Sequence, residues 1–100
     1  MERNEVRITG QVRELKPLRT SPAGVAHREL LLEHRSCQML AGQPREVRAV
    51  VTVKVSGPEA GRLDQWQPGD RITVSGLLAQ ASHRDATQLL IHAQAIERFE

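Results

Sequence analysis

The cleanest alternation of apolar and polar residues in the chain runs through Arg45–Val55. Val47, Ala49, Val51, Val53 and Val55 share one face, with Glu46, Arg48, Val50, Thr52 and Lys54 on the other. Period 2 marks a strand with one buried face, and the compact, β-branched inner set suits a small barrel interior. The same alternation occurs twice more, each time with a glycine in the apolar row. Val6, Ile8, Gly10 and Val12 align within Glu5–Glu14, with Arg7, Thr9, Gln11 and Arg13 opposite. Ile72, Val74, Gly76 and Leu78 align within Asp70–Ala79, with Arg71, Thr73, Ser75 and Leu77 opposite. A glycine where the apolar face expects a side chain predicts a bulge or tight bend. Two strands bent in this way fit a small closed barrel better than a flat sheet.

Two further strands are less regular. In Val25–Arg35 one face carries Ala26, Arg28, Leu30, Leu32 and His34, the other His27, Glu29, Leu31 and Glu33. Proline and glycine flanks favour a strand, although a helical reading of so short a run stays open. Gln88–Arg98 places Leu89, Ile91, Ala93 and Ala95 opposite Leu90, His92, Gln94 and Ile96. Apolar residues on both faces predict that a second subunit covers one of them, so the chain is expected to be a homodimer. Leu15–Gly24, Ser36–Pro44 and Gln80–Thr87 read as loops. Gly57, Pro58 and Gly61 leave room for only about two turns of helix at Glu59–Trp66, with Trp66 against the barrel end. Five strands and one short helix in residues 1–100 predict a single all-β domain, a five-stranded OB-fold Greek-key barrel. A six-stranded barrel and a small sandwich are the rivals; neither accounts as well for the paired glycines.

Composition sharpens this picture. Trp66 and Phe99 are the only aromatic residues, so the core is built from Val, Leu, Ile and Ala. No apolar run approaches the ~18 residues of a membrane span, and Met1–Arg7 lacks a signal peptide's apolar segment. A lone cysteine, Cys37, points to the cytoplasm. The net charge is only +2, yet of the 14 basic residues all but Lys16 and Lys54 are arginine. Guanidinium suits phosphates and base edges, provided that the arginines gather on one surface.

Catalytic chemistry finds little to use. His34 and Cys37 are within reach of one metal ion, but no second pair completes a ligand set, and they read better as a strand-end histidine and a loop cysteine. No phosphate-binding glycine loop or dinucleotide fingerprint occurs, so neither enzymatic activity nor a cofactor is expected. Binding has more support. An OB barrel lays single strands across its second and third strands, rimmed by the loops joining strands 1–2 and 4–5. On this chain that surface gathers Lys16 and Arg19, Arg28, His34 and Arg35, then Arg45, Arg48 and Lys54, with His83 and Arg84 from the last loop.

The segments SPAGVAH (21–27), LLLEHRS (30–36), VSG (55–57), PGDRITVSGLL (68–78) and IHAQAIE (91–97) together resemble the primosomal replication protein N (PriB) family, relatives of bacterial single-stranded-DNA-binding protein. The resemblance implies an OB-fold homodimer that binds single-stranded DNA. It also implies partners in the replication-restart primosome, namely the helicase PriA and the helicase-loading protein DnaT. Arg35 corresponds to a basic DNA-contacting residue of the family. Arg48 stands where family members carry a tryptophan, Gln43 where they carry an aromatic residue, and His83, Arg84 and Gln88 where lysines occur. These departures leave a second reading open, a primosome adaptor with weak DNA binding.

Overall fold

The longest ladder in the computed structural model, which describes residues 1–99, joins β3 (Ala26–Leu40) to β4 (Gln43–Ser56). The two strands pair residue by residue from His27↔Ser56 to Leu40↔Gln43. Only Ala41 and Gly42 turn the chain, both with positive φ (52° and 76°). Positive φ at both central residues makes a hairpin turn whose twist matches that of the strands. Ser36–Pro44 is therefore not a loop, as the sequence predicts, but the outer half of a hairpin. Beyond the barrel the hairpin has no interior side, so its residues carry no alternation to read. Pro44 is tolerated there because β4 has a partner on one side only.

The inner half of this hairpin closes a barrel with β1 (Val6–Leu15), β5 (Arg71–Gln80) and β6 (Leu89–Arg98). β1 pairs antiparallel with β5 and then crosses to β3; β5 pairs with β6, and β6 runs parallel to β4 at Val53↔Ile91. This is the predicted all-β, five-stranded OB barrel. A two-residue extra strand, β2 (Arg19–Thr20), joins the outer side of β3 within the predicted first loop.

Val12, Leu30, Leu32, Val53, Ile72 and Val74 fill the interior, each at most 1% exposed. Ser56–Gly69 forms a short helix, α1 (Glu59–Arg62), then one 3₁₀ turn (Leu63–Gln65). Spacing of three along this helical stretch brings Ala60, Leu63 and Trp66 into the core as the barrel's plug. The guanidinium of Arg98 lies 4.9 Å from the Trp66 ring centre and covers it.

Both glycines sit where another strand's backbone closes in. A Cβ on Gly10 would lie 2.4 Å from the carbonyl oxygen of Glu33; one on Gly76 would lie 2.0 Å from that of His92. Two bulges change faces that simple alternation assigns. The register slips between Val12 and Glu14 on β1, leaving Arg13 as the extra residue. Leu15 rather than Glu14 thereby turns to the core. On β6 the extra residue is Gln94, because Ser75 pairs with Ala95 and Gly76 with Ala93. Ile96, which alternation sets on the face opposite Ile91, accordingly packs against the core, as Ile91 does, and lies opposite Val74. Leu78, predicted to be inside, lies past the Gly76 bend and is 38% exposed.

Candidate nucleic-acid interface

Directly opposed residues of an antiparallel ladder share a face, so the register defines the outer surface of β3 and β4. From one end it runs His27/Ser56, Glu29/Lys54, Leu31/Thr52, Glu33/Val50 and Arg35/Arg48. From His27 to Arg35 the stripe spans roughly 26 Å, at about 3.3 Å per residue.

Basic side chains cluster at the two ends of this stripe. At the hairpin end Arg35 and Arg48 face each other across the ladder, and Glu46 lies between them. Arg48 Nε donates to Glu46 Oε1 at 2.8 Å and Arg35 donates to the same oxygen at 3.1 Å. These hydrogen bonds, Arg48 first and Arg35 second, hold the Glu46 carboxyl below its usual value. All three side chains are more than half exposed. At the other end, Lys16, Arg19, Lys54 and His27 line an open groove of about 470 Å³ beneath β2. Lys16 reaches Glu29 at 3.9 Å, and the ring Nδ1 of His27 lies 2.8 Å from the Ser56 hydroxyl. Glu33, between the ends, approaches Arg13 at 3.9 Å.

The loop between β5 and β6 carries His83 and Arg84, both exposed. The parallel register of β6 with β4 sets this loop toward the hairpin end of the barrel. It is tied internally: Asp85 accepts hydrogen bonds from the Thr87 hydroxyl at 2.5 Å and the Thr87 N–H at 2.9 Å, which keep its carboxyl below the usual value.

Three residues that the sequence assigns to this surface lie off its cross-strand stripe, although Arg28 still lines the groove beneath β2 and His34 the hollow beside Arg48. Arg28 shares the inner face with Val55; its Nε donates to the Lys16 carbonyl at 2.8 Å and its terminal nitrogen pairs with Asp64. With 13% of its side chain exposed, it fastens the plug to β3 rather than meeting solvent. His34 also turns away from the outer face. Its Nδ1–H donates to the Thr9 carbonyl at 2.7 Å, and its Nε2 accepts from the Ser36 hydroxyl at 2.8 Å, which bridges β1 and β3. Arg45 pairs with Gln38 on the opposite face of the hairpin from Arg48, by the same period of 2. Cys37, exposed, pairs with Glu46 on the outer face, so the register sends it away from His34. Among the described residues no three His, Cys, Asp or Glu side chains are grouped to hold a metal ion.

The sequence reading overlooks Glu46, Arg13, Arg71 and Phe99 as members of this surface. Glu46 was legible, two residues before Arg48 and on its face. Arg71 and Phe99 were not, because only the ladder bond from Phe99 N–H to the Arg71 carbonyl (2.9 Å) brings them together.

The sequence matches, over residues 4–95, a family described as another single-strand binding protein family. It is 37% identical to the replication restart protein PriB of Vibrio cholerae, over 96% of this chain and 98% of that one. It is 31% identical to PriB of Serratia proteamaculans, over 100% and 97% of the two chains. The fold superimposes on the crystal structure of PriB from Ralstonia solanacearum with a TM-score of 0.88 at 26% identity, covering 99% of this chain and 100% of that one. Single-stranded DNA binding protein from Thermus aquaticus gives a TM-score of 0.76 at 26% identity, over 97% of this chain and 50% of that one.

Proposed function

The chain belongs to the replication restart protein PriB family, and from that membership we propose that it is a non-catalytic, single-stranded-DNA-binding subunit of the replication-restart primosome. It acts in the cytoplasm, holds the helicase PriA on DNA and helps recruit the helicase-loading protein DnaT. The observation that carries the DNA-binding part is the exposed, cross-strand Arg35/Arg48 pair at the root of the hairpin. A pair of guanidinium groups facing each other across a ladder suits phosphate oxygens, and each plane can also lie on a base. Lys54, Lys16 and Arg19 extend the path along the groove, and His83 and Arg84 flank it from the loop. Arg28, His34 and Arg45 are left out of the contact set because their side chains serve the barrel or the opposite face.

Arg48→Ala should weaken binding of a labelled oligothymidylate and flatten its salt dependence by about 0.7 in log–log slope, the contribution of one single-strand phosphate. Arg7→Ala, outward on β1 and opposite Ser75, controls for the loss of one charge. Fluorescence anisotropy over a salt series, with circular dichroism to confirm folding, reads both. If the two variants match the wild type at every salt concentration, the assigned face is wrong.

A second reading, an adaptor whose main ligands are proteins, draws on Glu46 closing the arginine pair and on Glu29 and Glu33 interleaved with the cations. Parity of Arg48→Ala with the wild type in DNA binding would move this reading ahead.

The protein works as a homodimer. Leu78 and Leu89, 38% and 49% exposed on neighbouring strands, are apolar surface that a second copy would remove from water. Sedimentation at micromolar concentration should give twice the chain mass; a stable monomer overturns this.

A further inference from the structure

Beside the arginine pair, on the outer side of β1 and β5, lies a hollow of about 200 Å³ whose lining includes Thr9, Gln11, Glu33, Arg35, Arg71 and Phe99. We infer that this hollow is a nucleobase-stacking site, with Phe99 as its platform, and that it receives the base next to the phosphate held by Arg35. The inference rests on the single-strand-binding reading and adds to it a subsite that the family resemblance did not assign.

Four observations converge. Phe99 is one of the two aromatic residues of the chain, and the fold treats them oppositely: Trp66 is 7% exposed in the core, Phe99 41% exposed outside it. The backbone that carries the ring is held in place, because the Phe99 N–H donates to the Arg71 carbonyl at 2.9 Å and prolongs the β5–β6 ladder. The Arg71 guanidinium lies over the ring, 5.7 Å from its centre, a cation–π contact that braces the ring from one face. Arg35 lines both this hollow and the neighbouring one that contains Arg48, so phosphate and base contacts are continuous.

The walls choose the ligand. A plain apolar guest would leave the Thr9 hydroxyl and the Gln11 amide facing a surface without donors or acceptors. A base edge supplies both, while its face takes the ring. Glu33, the one carboxylate in the lining, is already engaged by Arg13 at 3.9 Å. The chain lacks the tryptophan that its family resemblance places at position 48. A ring on the adjoining strand pair gives single-strand recognition an aromatic contact after all.

The test compares Phe99→Ala, Phe99→Leu and Phe99→Trp with the wild type on an oligothymidylate and on the same oligomer with abasic sites. Phe99→Leu keeps an apolar side chain on the ladder but removes the flat ring, so a loss shared by the Leu and Ala variants reports stacking rather than unfolding. Both should bind about fivefold more weakly or worse, from the low end of the stacking range, with the salt slope unchanged because stacking releases no counterions. Both should also lose most of the difference between the normal and the abasic oligomer. Phe99→Trp should bind at least as tightly, and its added fluorescence should be quenched by the oligomer over the constant background of buried Trp66. Wild-type affinity in Phe99→Ala and Phe99→Leu, with the slope change of Arg48→Ala intact, overturns the stacking site and leaves the DNA-binding reading standing. Wild-type affinity in Arg48→Ala as well overturns both.

Discussion

Gly76→Ala lowers the stability of the barrel by about 3 kcal/mol, the upper part of the range for forcing extra atoms into a packed site. Its Cβ would meet the His92 carbonyl oxygen at 2.0 Å and the attached carbon at 2.9 Å, and both atoms belong to backbone that is held in the β5–β6 ladder. Relief requires β6 to move off β5 at the bulge, which would break the pairing that sends Ile96 inward. Gly61→Ala is the matched control. It lies in α1, has nothing within 4 Å of the new Cβ, and lacks a positive φ. There alanine should be neutral or stabilising, by up to about 1 kcal/mol. Urea unfolding of the two variants decides the matter; a wild-type midpoint for Gly76→Ala would remove the close approach as the reason for that glycine.

The double variant Arg35→Ala/Arg48→Ala should bind single-stranded DNA about tenfold more weakly at low salt, with the log–log salt slope reduced by about 1.4, two phosphates' worth. It removes both cations and also frees Glu46, whose carboxylate then repels the strand. Glu46→Gln acts in the opposite direction. It leaves the two guanidinium groups unengaged, and binding should tighten by about two- to fivefold with a steeper salt slope. Acidification has the same sign. Glu46 has its folded-state value depressed by Arg48 and Arg35, so the clamp is complete above the ordinary carboxylate value and is lost as pH falls through the lowered one. Anisotropy titrations of the double variant, of Glu46→Gln and of the wild type side by side check both signs. A wild-type affinity and slope in Glu46→Gln would detach Glu46 from the interface.

The barrel was legible because its interior is periodic. Val51, Val53 and Val55, Leu30 and Leu32, and Ile72 and Val74 alternate in sequence and are buried or half-buried in space. Gly10 and Gly76 announced the bends, since only a glycine fits against a crossing backbone. What escaped was whatever period 2 does not encode. A bulge adds one residue and reverses every later face, which set Ile96 on the wrong row and left Leu15 reading as the start of a loop. The hairpin's outer half lacks an inside, so Ser36–Pro44 read as a loop.

The proposed binding surface was half legible for a related reason. Arg35 and Arg48 follow from strand alternation once the hairpin register is known, and Lys54 likewise. Counting basic residues along the strands drew in Arg28, His34 and Arg45, although alternation alone already sends them to the other face. Arg71 and Phe99 stand 28 residues apart and meet only through the β5–β6 ladder. No local pattern in one sequence carries such a meeting.

Past Glu33 on β3, the hairpin's only ladder partner is its own other strand, and β4 gains its next neighbour only at Val53. Beyond His34, whose ring still reaches the Thr9 carbonyl of β1, the outer hairpin has no ladder partner but itself, and it contributes to the 49 Å long axis of the molecule. Its opening from the Ala41–Gly42 turn inward exposes no core side chain and breaks only that ladder's own hydrogen bonds, so it can unzip in steps while the barrel stays shut. Arg35 and Arg48 sit near the hinge of this motion. On the proposed reading, a strand of DNA gripped there would first have to quiet the arm, and part of its binding energy would go into that stiffening.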